Sequence, residues 1–231
     1  MANNFYNAIK RNVSADSTLP TALYTVPSEK KAILIELDVA NKSSAGVTVT
    51  VQMLDESQNQ TYDTTGTTIN ANASTVVITT GVSGLFTTNS SAAHNLIVND
   101  RVSFTGTAPS FTDASLPASG DTALSVDTGT GSRFYYVQEK TSDSTFKIAE
   151  TKDASSALTF DNAGSSVKMV KVFLADIVKD APVPVGGSLK VISGQKLVIE
   201  SAHANVNDKL YVYSSAASAV DAIGSVLQEV S

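Results

Sequence analysis

Cysteine and tryptophan are both missing from this 231-residue chain, and histidine occurs twice, at His94 and His203. Without cysteine there is no disulfide framework, no iron–sulfur cluster, no thiolate zinc site and no cysteine nucleophile. Two histidines far apart in sequence leave little for an imidazole metal centre. Charge is sparse as well: Asp, Glu, Lys and Arg make up 16% of the chain, against ~25% in an ordinary domain. The balance is acidic, net −6, which argues against nucleic acid as a partner because phosphate binding needs basic patches. No window approaches the ~20 apolar residues of a membrane-spanning helix, and the start of the chain is polar, so neither a membrane span nor a secretory signal is expected.

What the chain does have is enough apolar residues, 42%, to build a core. They alternate. In AILIELDVAN, Ile33, Ile35, Leu37 and Val39 fall on one face and Glu36 and Asp38 on the other. In GVTVTVQMLD, Val47, Val49, Val51 and Met53 alternate with Thr48, Thr50 and Gln52. Two period-two runs rich in β-branched residues predict two strands, and the NKSSAG link between them predicts a hairpin. Upstream, ALYTVPSEKK predicts a short strand and then a turn led by Pro27.

After Asp55 a polar run, DESQNQTYDTTGTTINANAS, carries no core pattern. A second β series follows in TVVITT, LIVNDRVSFTG, RFYYVQEK and STFKIAET, and apolar strands resume in VKMVKVFLADIV, SLKVISG, QKLVIES and DKLYVYSS. The last segment, AVDAIGSVLQEVS, fits a helical stripe and a strand alternation equally, and Gly224 tips it towards a closing strand. The expectation is an all-β chain. A sandwich- or jelly-roll-like outer domain, formed by residues 19–63 and 167–231, is interrupted by an inserted small β-barrel-like or sandwich module at 72–166. Residues 1–18 precede it as an N-terminal arm. In FYNAIKRN, Phe5 and Ile9 are four apart, a weak helical spacing. The arm reads either as a disordered terminus or as a tether whose Phe5, Tyr6, Ile9 and Arg11 contact a neighbouring subunit.

Catalysis needs a base, a nucleophile and an orienting group. His94 and His203 fall in different expected domains, and His94 sits at a turn where its ring can satisfy backbone groups. The acids Asp55, Glu56, Asp63, Asp113 and Asp121 lie in polar loops with no D-x-[DN]-x-[DN]-G calcium pattern. The Gly-rich TGTGS at 128–132 has no expected helix after it to receive a phosphate. No catalytic, cofactor-binding or metal-binding residue is expected, and the chain does not read as an enzyme. Tyr135, Tyr136, Tyr211 and Tyr213 alternate with apolar residues, as strand-packing aromatics do; the other use of Tyr135 and Tyr136, with the 106–132 loop, is a sugar platform. Arg11, Lys30 and Lys31 form a basic spot too small for nucleic acid.

Two stretches carry a resemblance. ALYTVPSEKKAILIELDVANKSSAGVTVTV and PVPVGGSLKVISGQKLVIESAHANVNDKLYVYSS together resemble the opening and closing segments of small virion proteins of tailed bacteriophages. The middle resembles a second phage module, a small all-β unit of tail, baseplate and other virion proteins. His94, Leu96, Asp100, Val102 and Phe104 match its first half, and Tyr135, Tyr136, Val137, Thr145, Phe146 and Ile148 its second. Asn95 and Asn99 stand where that module usually has glycine, and asparagine tolerates the left-handed conformation well.

The resemblance implies a structural component of a tailed-phage virion. A capsid decoration or cement protein on the capsid surface is the leading expectation. Its partners would be the major capsid protein, or neck or tail proteins, and further copies of the chain itself as a homo-oligomer. No nucleic acid, membrane or cofactor is expected. The alternative is a neck, tail or tail-fibre component with a carbohydrate-binding adhesin module.

Overall fold

The computed structural model describes residues 4–55, 60–62, 68–69, 74–75, 77–78, 84–87, 94–107, 110, 120–125, 133–160, 165–201 and 207–229. His203, Glu56, Asp63, Asp113, the TGTGS run and most of the 106–132 loop lie outside these residues. Every regular element among the described residues is a β-strand. The chain divides into two compact units, Met1–Ser57 with Phe173–Ser231, and Gln58–Val172.

The first unit opens with β1 (Asn4–Lys10), β2 (Thr21–Thr25), β3 (Lys31–Asn41) and β4 (Val47–Leu54). The second unit holds β5 (Gln60–Tyr62), β6 (Thr68–Ile69), β7 (Ser74–Thr75), β8 (Val77–Ile78), β9 (Phe86–Thr87), β10 (Arg101–Thr107), β11 (Tyr135–Lys140), β12 (Thr145–Ala149) and β13 (Ser165–Lys171). The first unit then resumes with β14 (Leu174–Val183), β15 (Ser188–Ile192), β16 (Leu197–Glu200), β17 (Lys209–Ser214) and β18 (Val220–Glu229).

The first unit is a β-sandwich of two antiparallel sheets. One runs β1-β18-β3-β15, with β16 also paired to β3; the other runs β14-β4-β17-β2. Leu34, Leu37, Val39 and Val226 of the first sheet share a buried core with Val49, Val51, Leu210 and Val212 of the second. Among the described residues, all members of this core belong to the first unit. Leu54 at the end of β4 stands opposite Leu174 at the start of β14, so the second unit occupies the turn of an otherwise ordinary hairpin. The ambiguous last segment is strand β18, central in its sheet between β1 and β3.

The structure departs from the sequence expectations in four places. First, β3 and β4 do not form a hairpin: they belong to different sheets, and the NKSSAG link crosses between them. Alternation tells which face of a strand is buried, not which strand lies beside it. Second, the buried face of β3 is Ala32, Leu34, Leu37 and Val39, while Ile33 and Ile35 lie half-buried on the other side. A bulge causes this. Ser225 pairs with Glu36 and Val226 with Leu34, so Ile35 is an extra residue and the face switches there.

Third, residues 4–18 are not a separate arm. β1 pairs with β18 through seven successive residues, and Val13 is fully buried in the sandwich core. Val13 N–H donates to Val220 C=O, and Asp16 Oδ1 accepts from Thr18 N–H in an Asx turn. Fourth, the division falls at 57/58 and 172/173 rather than at the expected limits. Ser165–Lys171 belongs to the second unit because β13 pairs with β10 there and Met169 packs in that unit's core.

The second unit is built on one antiparallel sheet, in the order β6-β5-β13-β10-β11-β12-β9-β8, with β7 paired to β13. Its core is aromatic: Phe86 stacks on Phe146 at 5.3 Å, meets Phe160 edge-on at 5.6 Å, and lies 5.2 Å from Phe104. Asn95 and Asn99 have φ of 53° and 73°, the left-handed conformation that asparagine tolerates.

Candidate assembly surface

Four of the large apolar side chains that remain exposed share the outer face of one sandwich sheet: Phe5 (70% exposed), Val198 (56%), Ile9 (52%) and Ile223 (45%). Their alignment follows from strand register. Phe5 stands opposite Leu227, Leu227 opposite Ile33, and Ile33 opposite Val198. Residues directly opposite in a sheet share a face, so these four make one apolar row across β1, β18, β3 and β16. Ile9 and Ile223 pair four residues further along β1 and begin a second row. That row continues into Asp38 and Lys190, and Lys190 Nζ contacts the Glu36 carboxylate. On the far side of the apolar row, Lys31 Nζ pairs with Glu200 at 3.3 Å. The face is therefore an apolar stripe bordered by ion pairs.

Of the residues expected to make assembly contacts, Phe5 and Ile9 lie on this face. Tyr6 does not. It points to the inner side with Ala8, where its ring lies 5.9 Å from Tyr24 of the opposite sheet. Its hydroxyl donates to Gln228 Oε1 at 2.7 Å and lies 2.6 Å from the Tyr24 hydroxyl. Burial, and then the hydrogen bond that the Tyr24 hydroxyl donates to Tyr6, push that hydroxyl well above the ordinary tyrosine range. Tyr6 thus helps close the sandwich. Arg11 is exposed beyond the end of β1, beside the Asp221 carboxylate that Lys42 and the Asn12 N–H also hold. Four members of the apolar face, Ile33, Val198, Ile223 and Leu227, were not singled out from sequence as surface residues. The signal was the apolar residues on both faces of β3 and β18: a bulge at Ile35 switches the face of β3, whereas β18 alternates without a break and carries Ile223 and Leu227 outward.

The remaining polar clusters are occupied internally. His94 is fully buried; its Nδ1 accepts from the Leu96 N–H at 2.9 Å and its Nε2 lies 3.1 Å from the Ser142 carbonyl oxygen. Those partners fit the neutral ring protonated on Nε2. Burial lowers its pKa from the ordinary 6.5, favouring that state. Arg133 Nε lies 3.1 Å from Asp121 Oδ2 and 3.7 Å from Glu150 Oε1, with Arg133 and Glu150 both buried. Tyr135 and Tyr136 are buried too, Tyr135 in the core and Tyr136 under the Arg101 guanidinium at 5.5 Å, so neither ring offers a surface to a sugar.

Two hollows of about 430 and 410 Å³ open on the sandwich. One is lined by Lys190, Lys196 and Leu197 with five further residues, the other by Val47, Pro182 and Pro184 with four more; neither lining includes a carboxylate or an imidazole. Among the described residues no group of three or more His, Asp or Glu side chains is placed to hold a metal ion. Comparison of the chain with protein-family models, with curated proteins and with solved structures gives no match.

Proposed function

We propose that this protein is a structural component of a tailed-phage virion, acting as a capsid decoration protein through contacts made by the sandwich unit. The resemblance of residues 19–55 and 167–231 to phage virion proteins supports the setting. The observation that carries the mode of action is the Phe5–Leu227–Ile33–Val198 row. Burying a large apolar side chain is worth ~1.5–3 kcal/mol, and Phe5 and Val198 leave most of that unspent in the single chain. A stripe of this kind, flanked by charged pairs, has the layout of a subunit contact: an apolar centre with a polar rim.

The adhesin alternative loses its two candidate platform rings, since Tyr135 and Tyr136 lie inside the second unit. Quantitative mass spectrometry of purified particles tests the proposal. A copy number comparable with that of the major capsid protein is expected. Absence from the particle would overturn the virion reading, and a copy number matching a single ring would overturn the decoration role in favour of neck or tail.

A further inference from the structure

A sheet edge with free backbone groups is a template for another strand, and monomeric proteins blunt such edges with bulges, prolines, charges or short length. Three of the sandwich's edges show these devices. β14 has two register breaks, the charges Asp176, Lys179 and Asp180, and Pro182. β15 has a register break next to Lys190, and its neighbour β16 is four residues long and ends in the Glu200–Lys31 pair. β2 is five residues long and is closed by Pro27 two residues later.

β1 has none of them but a single charge at its end. Its seven residues pair with β18 without a break, it holds no proline, and its one charge, Lys10, is at the end. Among the described residues no strand pairs with its other edge. Its sequence is also self-complementary. When NFYNAIK is laid antiparallel against itself with Asn7 opposite Asn7, Phe5 falls opposite Ile9, Tyr6 opposite Ala8 and Asn4 opposite Lys10. Phe5 and Ile9 are on the same outer face, so each covers the other across the joint, and the lone charge meets an amide rather than a second lysine. Moving the register by one residue would set Phe5 against Lys10 in one direction and against Ala8 in the other, so either shift loses the Phe5–Ile9 contact.

We propose that two copies of this chain join edge to edge through β1, antiparallel, about a two-fold axis at Asn7. The two outer faces then become one. The row Val198–Ile33–Leu227–Phe5 of one copy runs on into Ile9 and Ile223 of the other, and its symmetry mate does the same. Such a contact is isologous and closes on itself. One seven-residue strand pair lies at the small end of protein interfaces, below ~1,200 Å², so the dimer is concentration-dependent in dilute solution. The contact gives a form to the homo-oligomer that the resemblance implies but is argued from this chain alone.

The chain has no cysteine, so single introduced cysteines report the register on the full-length protein. Opposed residues of an antiparallel pair have Cα atoms about 4.5–5.5 Å apart, within the ~4.4–6.8 Å that a disulfide spans. Asn7→Cys is therefore expected to give a covalent dimer on mild oxidation. Phe5→Cys alone is not, because its two copies lie about 14 Å apart along the strands. A mixture of Phe5→Cys and Ile9→Cys is expected to cross-link. Asn7→Lys, which sets two like charges face to face, is expected to weaken self-association about tenfold or more, with an unchanged thermal melt. Sedimentation showing only monomer at ~1 mM would overturn the proposal. So would an oligomer that Asn7→Lys leaves intact, or one in which Asn7→Cys cross-links no better than Phe5→Cys; either result spares the particle reading, which stands or falls on particle composition.

Discussion

Asn41 Nδ2 lies 3.1 Å from the carbonyl oxygen of Val183, so an amide at the end of β3 in one sheet holds β14 of the other. The same nitrogen lies 2.8 Å from Ala45 O and 3.1 Å from Pro184 O, and Oδ1 accepts from the Ser43 N–H at 2.9 Å. This side chain is buried and anchors the link that carries the chain from β3 across to β4. Asn41→Ala takes this donor from the buried Val183 carbonyl, at a cost of about 2 kcal/mol. Urea titration followed by a sandwich-specific probe should show the midpoint fall. An unchanged midpoint would mean that the crossing is held by something else.

The bulge at Ile35 makes a separate prediction about which face of β3 matters for folding. Leu34→Ala and Leu37→Ala remove fully buried side chains and should each destabilise the sandwich by about 2–5 kcal/mol. Ile33→Thr and Ile35→Thr change half-buried outer residues and should cost less than about 1 kcal/mol. Equal costs at Ile33 and Leu34, measured by equilibrium unfolding, would contradict the switch of face.

That bulge also shows how far the sequence could be read. Strand existence was legible, because runs such as Val47–Val49–Val51 have a period that only a strand turns into one buried face. The ring of His94 satisfying backbone groups was legible from its place at a turn, whereas the left-handed conformation of Asn95 and Asn99 was expected only through the resemblance. Partnership was not legible. β3 and β4 are neighbours in sequence and both one-sided, yet β3 pairs with β18 and β4 with β14 and β17, more than 100 residues away. The face of β3 was misread because an inserted residue inverts every position after it. β1 was misread because residues four apart share a face in a strand as well as in a helix, so Phe5 and Ile9 did not distinguish the two. The apolar outer face was half visible: Phe5 and Ile9 stood out, whereas Val198 and Ile223 did not.

His94 gives the second unit an acid sensitivity. Its folded pKa lies below the 6.5 of an exposed imidazole, chiefly through burial. The unfolded chain therefore binds the proton more readily, and stability is full above pH 6.5 and declines as pH falls from 6.5 towards the folded value. The melting temperature of this unit should drop on acidification through that window, before most carboxylates titrate. In His94→Gln the drop over the same window should be absent. A drop of the same size in the variant would assign the sensitivity to another group.

The sandwich should survive loss of the second unit. Among the described residues its core is drawn from the first unit alone, and Leu54 and Leu174 already stand opposite each other as the last pair of a hairpin. Joining Asp55 to Phe173 through a turn of roughly two to four Gly, Asn or Ser residues restores that hairpin. The shortened chain is expected to be soluble and all-β by circular dichroism, with one cooperative melt. A molten or aggregated product would show that the second unit supplies part of the sandwich's stability.

A particle component that packs by the outer face of its β1-β18-β3 sheet, as proposed here for this chain, is visible by cryo-electron microscopy of intact virions. Density for the sandwich is expected to repeat over the capsid surface, with Phe5, Ile33 and Val198 buried against a neighbouring subunit. Density confined to the neck or tail, or a sandwich whose Phe5–Val198 face looks into open solvent, would contradict the proposal.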